Sequence, residues 1–291
     1  MFNQVEFKKT RDFGETINDT FKFIKQNFKP LIRVFFYLCG FFLLATLISS
    51  AMQQIGMQNI LRTPSASDPF RAITALFSLQ YLVTVTFTFA NYTAISVSAL
   101  SFIALYVEKG NVAPTVEQVW AYFKYYYFRA LAGNFLISLF ALICAIPCGT
   151  VLIYVFPAIS IFLPIMIFEN ASLTYSFNRS FKLIKDNWGV TAGSLLIIWL
   201  ITSATSSLAS LPAMILSVLG ALSPGGQGLS NTVIIFSTII QCLCQVFLIL
   251  PVVAASLCYF NLRERHENTG LLGRINTMGE TKEKPDFTGE Y

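Results

Sequence analysis

The chain has 291 residues, 55% of them hydrophobic and only 12% charged, with 28 Phe, 12 Tyr and a mean hydropathy of +0.62. Soluble domains carry roughly 25% charged residues, so this composition excludes an ordinary soluble domain and points to a membrane protein. The net charge of +5 is no nucleic-acid signature, because the basic residues stand at the borders of apolar runs.

Residues 1–11 read as a polar tail, and the polar start predicts no cleavable signal peptide. From Asp12 to Phe28 the pattern predicts an amphipathic helix, with Asp12 and Glu15 at capping-box spacing. Phe13, Ile17, Phe21, Ile24 and Phe28 fall within an arc of about 80° on the helical wheel. Lys22, Lys25 and Lys29 lie off that stripe. Such a helix suits the headgroup plane, stripe down and lysines up. It equally suits an elbow packed on a bundle. Pro30 is expected to end it and to turn the chain into a first span, Leu31 to Met52, with Arg33 snorkelling at the near interface.

After a polar loop at 53–71, the uncharged run from Ala72 to Val107 holds no Gly or Pro. It predicts one long helix that crosses over about Val83 to Val107. Glu108 to Tyr127 is a second interfacial segment, with Trp120, Phe123 and Tyr127 on its stripe and Lys124 beside it. Ala130 to Phe168 reads as a hairpin of two spans turning at Pro147-Cys148-Gly149, with kinks at Pro157 and Pro164.

The third interfacial segment carries the stripe Leu173, Phe177, Phe181, Ile184 and Trp188, with Arg179, Lys182 and Lys185 facing headgroups. Its stretch from Phe177 to Trp188 repeats Ile17 to Phe28 at an offset of 160 positions. Asn, Phe, Lys, Ile, Lys and Asn recur at Asn178, Phe181, Lys182, Ile184, Lys185 and Asn187. Val190 to Leu219 and Thr232 to Leu262 are the fifth and sixth spans, the first kinked at Pro212 and the second holding Pro251. Residues 263–291 read as a disordered, solvated tail, including His266.

With six spans and both ends inside, all 20 Lys and Arg except Arg62 and Arg71 fall on the cytosolic side, as the positive-inside rule requires. The expected fold is therefore an all-α polytopic membrane bundle: six transmembrane helices and three cytosolic interfacial amphipathic helices. The repeat units are about 12–107, 108–168 and 172–262, within one membrane domain, 12–262. The expected location is the cell membrane, with both termini cytoplasmic.

Chemistry-bearing sets are missing from this sequence. The lone His266 cannot build a His-containing metal site or a Ser/His triad. The six cysteines lie in apolar runs and read as small buried filler. No Asp lies inside a span, which excludes paired-aspartate intramembrane proteolysis. The deep polar residues are neutral: Asn91, Asn134, Gln241 and Gln245. Gln241 and Gln245 stand four apart and suit an interhelical hydrogen bond. Glu169, at the mouth of the fourth span, is placed to pair with a basic elbow residue or to be solvated. No enzyme activity or cofactor is expected.

Pro164-x4-Glu169-x2-Ser172, followed by Ser180-x2-Leu183-x-Lys185-x2-Trp188, resembles the membrane domain fused to some bacterial glycerophosphodiester phosphodiesterases and the stand-alone six-helix proteins similar to it. The resemblance is clearest over about 160–190 and, through the repeat, at 12–30. It implies a six-helix membrane domain with no catalytic residue. The expected function is a non-catalytic membrane protein that organises local lipid or a membrane-protein partner. The alternative is a permease or exporter of an apolar or lipid-like substrate. Membrane lipids and a membrane protein are the expected partners, and nucleic acid is not.

Overall fold

A computed structural model describes residues 4–62, 78–145, 149–222 and 231–267. Among these the chain is all helix: α1 (Phe13–Arg62), α2 (Leu79–Glu108), α3 (Val116–Ala145), α4 (Gly149–Phe168), α5 (Leu173–Ile184), α6 (Trp188–Leu222), α7 (Asn231–Cys244), a 3₁₀ turn (Gln245–Leu248) and α8 (Ile249–Glu267). Six stretches are long and apolar enough to cross a membrane: Phe13–Met57, Leu79–Glu108, Val116–Ala145, Val151–Phe168, Trp188–Leu208 and Thr232–Glu267. The protein is a multi-pass, all-α membrane bundle. Its best-buried helix is α2, which packs on α1, α3 and α8.

The long uncharged run does form one helix in its described part. Ser78 caps it, its hydroxyl accepting from the Tyr81 N–H. The hairpin is present as α3 and α4, with residues 146–148 of its turn outside the described residues. The loops at 63–77 and 223–230 and the residues beyond 267 also lie outside them. Helix α4 runs through Pro157 and Pro164 without interruption, and α6 likewise contains Pro212.

The amphipathic segments depart from the expected three separate elbows. Only α5 is a helix of its own. The second begins at Val116 and continues straight into the α3 span, so Val112 and Pro114 precede the helix. The first is continuous with the first span, and its break is a kink at Asn27 (φ −109°, ψ 19°) rather than an end at Pro30. Proline has no N–H for the Gln26 carbonyl and its ring crowds that carbonyl, so the distortion falls before the proline. At the position 160 later, Asn187 ends a three-residue turn, 185–187, that separates α5 from α6. No proline follows there: position 190 is valine. Asparagine competes for backbone hydrogen bonds and tolerates non-helical geometry. Where the second segment has Tyr126 instead, the helix runs on.

The buried face of the first segment is not the aromatic stripe. It is Thr16, Thr20, Phe23 and Asn27, a row about 90° round the helix from the stripe. The Thr16 and Thr20 hydroxyls donate to the carbonyls of Asp12 and Thr16, at 2.8 and 2.7 Å. They therefore enter the core with their donors satisfied. Phe13, Phe21 and Phe28 are exposed, while Ile17 and Ile24 pack at the edge of the core. In α5 the equivalent row, Ser176, Ser180 and Leu183, is again fully buried together with Ile184. Leu173, Phe177, Phe181 and Trp188 flank the core. In the second segment Phe123 and Tyr127 are buried and Trp120 is exposed.

Residues 4–11 are packed rather than a free tail. Val5 and Phe7 are buried, and Phe7 meets Phe23, Tyr106 and Phe260 edge to face, at 5.1 to 6.0 Å between ring centres. Likewise the chain past 262 stays helical to Glu267. His266 is part-buried, its Nε2 donating to the Leu183 carbonyl at 3.3 Å.

Candidate functional site

Two regions gather polar side chains. The first is the end of the bundle where α2, α4 and α8 finish and α3, α5 and α6 begin. Arg11 is fully buried there. Its guanidinium donates to Asp19 at 2.8 Å and to the carbonyls of Glu6, Phe7 and Lys9. Its backbone N–H donates to Asn261 Oδ1 at 2.8 Å, and its carbonyl accepts from Arg265, also at 2.8 Å. This charge is thus surrounded by acceptors, the condition for keeping it in a dry site.

Beside it, Tyr259 donates to Glu169 at 2.9 Å, and Arg263 pairs with Glu267 at 2.9 Å. Arg179 also pairs with Glu267 and lies 3.9 Å from Glu169. Arg179 was expected to face headgroups. It is drawn into this network because Glu267 stays on a helix rather than in a loose tail. Lys22, Lys25, Lys29, Lys124, Lys182 and Lys185 are exposed. Lys124 sits 5.9 Å over the Trp120 ring.

The second region is a cavity of about 680 Å³ in the middle of the apolar helices, walled by α2, α3, α4, α6, the 3₁₀ turn and α8. Its buried floor contains Ser96, Leu100, Asn134, Leu195 and Thr202. Its mouth includes Tyr92 and Trp199, which line the space yet are about half exposed, at 47% and 50%. No lining residue is charged. The volume lies within the range of small-molecule pockets, and the mixture of apolar wall and few polar groups is typical of them.

Of the neutral polar residues singled out from sequence, Asn134 lines the cavity and donates to Thr93 Oγ1 at 3.0 Å. Asn91 donates to Gln245 Oε1 across the bundle, joining α2 to the 3₁₀ turn, and Asn91 Oδ1 has no hydrogen-bond partner. Of the two glutamines expected to suit an interhelical hydrogen bond, Gln245 makes this one and Gln241 is exposed. Cys39, Cys242 and Cys258 are buried free thiols, while Cys144 and Cys244 are part-exposed. Among the described residues no group of three or more His, Cys, Asp or Glu could hold a metal ion.

Sequence reading missed the cavity hydroxyls, since Ser96 and Ser160 each stand between apolar neighbours. A clue was available in α6, where Thr202-Ser203 and Ser206-Ser207 interrupt an apolar run. It missed the end network too. The four-residue spacing of Arg263 and Glu267, with no Gly or Pro before Gly270, was the available helix signal. Comparison with family models, with curated proteins and with solved structures finds no match.

Proposed function

We propose that this is a non-catalytic membrane protein that organises local lipid by holding a lipid-like molecule within its bundle. The observation that carries the reading is the cavity: about 680 Å³ at mid-bundle, uncharged, with a half-exposed mouth. A molecule with an apolar body can enter such a space from the bilayer without crossing a charged barrier. The exposed lysines at equivalent positions of the first and third amphipathic segments support an internal repeat of elbows lying at the inner face of the cell membrane, with both termini cytoplasmic.

The test is lipid analysis of the purified full chain against a variant with the cavity filled, Ser203→Phe. A lipid retained by the wild type in near-stoichiometric amount and lost from the variant supports the reading. Equal lipid in both removes it.

A second reading, a permease or exporter of a lipid-like substrate, is favoured by the 3₁₀ turn at Gln245–Leu248. Discontinuous helices beside a mid-membrane cavity recur in carriers, and Leu248 and Pro251 line this one. Flux of a fluorescent lipid in proteoliposomes, blocked by the same variant, distinguishes carriage from retention.

A further inference from the structure

The chemistry of the cavity floor narrows what it can hold, an inference that rests on the cavity being occupied at all. Most hydroxyls of its floor and side walls have already committed their hydrogens. The Ser96 hydroxyl donates to the Tyr92 carbonyl at 3.0 Å and Thr202 to the Ile198 carbonyl at 2.9 Å. At the side walls Ser160 donates to Phe156 and Ser138 to Phe135, both at 2.8 Å, and Ser206 donates to Thr202 at 3.0 Å. Asn134 gives an amide hydrogen to Thr93. A hydroxyl oxygen that donates once keeps two lone pairs. The buried floor therefore offers an occupant more acceptors than hydrogens, the Asn134 amide keeping one hydrogen.

An ionised carboxylate or phosphate would meet no cationic residue in the lining, and an unpaired charge there is costly. An ammonium would find acceptors, but no lining residue is anionic, and an unpaired charge in a low-dielectric site is strongly disfavoured. A neutral head carrying an O–H meets neither obstacle. Ser96 and Thr202 are buried at the floor while Tyr92 and Trp199 stand at the mouth, so the head lies inward and the hydrocarbon passes out between the aromatic rings. We infer that the cavity between α2, α3, α4, α6 and α8 binds an uncharged, hydroxyl-bearing amphiphile, head first, and selects it against charged analogues with the same hydrocarbon.

Four probes with one C18 chain separate the possibilities: oleyl alcohol, methyl oleate, oleate and oleylamine. Each is added to the full-length protein in nonionic detergent, and retention is read by native mass spectrometry. The expected result is oleyl alcohol retained at least about tenfold better than oleate or oleylamine, with methyl oleate between them for want of a donor.

Ser96→Ala with Thr202→Val removes both floor acceptors while keeping their shape. It should lower oleyl alcohol retention about tenfold and leave methyl oleate unchanged. Ser203→Phe should abolish retention of all four. If oleate or oleylamine is held as well as the alcohol, the selectivity is wrong while the cavity reading stands. If the floor variant keeps full preference for the alcohol, the head does not sit there and the inference falls. If the wild type retains none of the four, the cavity is not a lipid site and the proposed function fails with it.

Discussion

The first and third amphipathic segments start from nearly the same letters and are fastened in different ways. Both bury the same row: Thr16, Thr20 and Phe23 in one, Ser176, Ser180 and Leu183 in the other. Both are interrupted at the equivalent asparagine, Asn27 or Asn187. The first segment, however, is held by a ring cluster, Phe23 against Phe7, Phe102 and Tyr106, and by the buried Arg11–Asp19 pair. The third is held at its edge by ionic contacts that are only part-buried, from Arg179 to Glu267 and Glu169. A shared pattern specifies which face goes inward. What anchors that face depends on which neighbouring chain covers it: residues 4–11 in one case, the last turns of α8 in the other.

The sharpest way to break this contrast is to truncate the equivalent buried residues of the two rows. Phe23→Ala should cost about 4 kcal/mol and Leu183→Ala about 3 kcal/mol, read as thermal unfolding in detergent. An equal or reversed order would mean that the aromatic cluster is not the stronger clasp. Next comes charge. Arg11→Met should cost about 3 kcal/mol, because it strands Asp19 and frees three backbone carbonyls. Arg179→Met should cost about 1 kcal/mol, since its pairs reach solvent. The first change should also expose residues 4–11 to protease, whereas the second should not.

The interruptions separate the segments less. Asn187→Ala loses the contact from Arg265 to Asn187 Oδ1 at 3.2 Å, worth about 1 kcal/mol. Asn27→Ala loses a bond to the Phe23 carbonyl at 3.1 Å and a side-chain contact with Tyr106. It gains helix propensity in return, so the net cost should be similar. Hydrogen exchange of residues 24–30 and 184–190 checks whether either break closes.

Periodicity made the helices and their spans legible, because apolar length and charge placement obey the bilayer's dimensions. Which face goes inward was left open for a definite reason. In water the apolar stripe of a helix points to the core, but beside lipid it can remain outside. Small hydroxyl residues such as Thr16, Thr20, Ser176 and Ser180 then allow the close approach. The packed ends were hidden as well. Nothing local to Phe7 or Arg11 shows that residues 4–11 fold back, for their partners Tyr106, Phe260 and Asn261 lie far along the chain. The cavity depends on which faces of α2, α3, α4, α6 and α8 meet, and no hydropathy pattern encodes that.

The smallest expected effect concerns the lysines, where the two segments should behave alike. Lys22 and Lys182 are equivalent, as are Lys25 and Lys185, and all four are exposed. In detergent, Lys22→Gln with Lys25→Gln, or Lys182→Gln with Lys185→Gln, should each change stability by less than about 0.5 kcal/mol. In bilayers the outcome depends on what the ammonium groups meet. Near an anionic surface each basic residue is worth about 1 kcal/mol, so moving from zwitterionic to anionic vesicles should stabilise the wild type more than either double variant. The two variants should lose similar amounts. A loss confined to one of them would place only that segment at the headgroups. No loss in either would leave both as elbows packed on the bundle, with their lysines simply solvated.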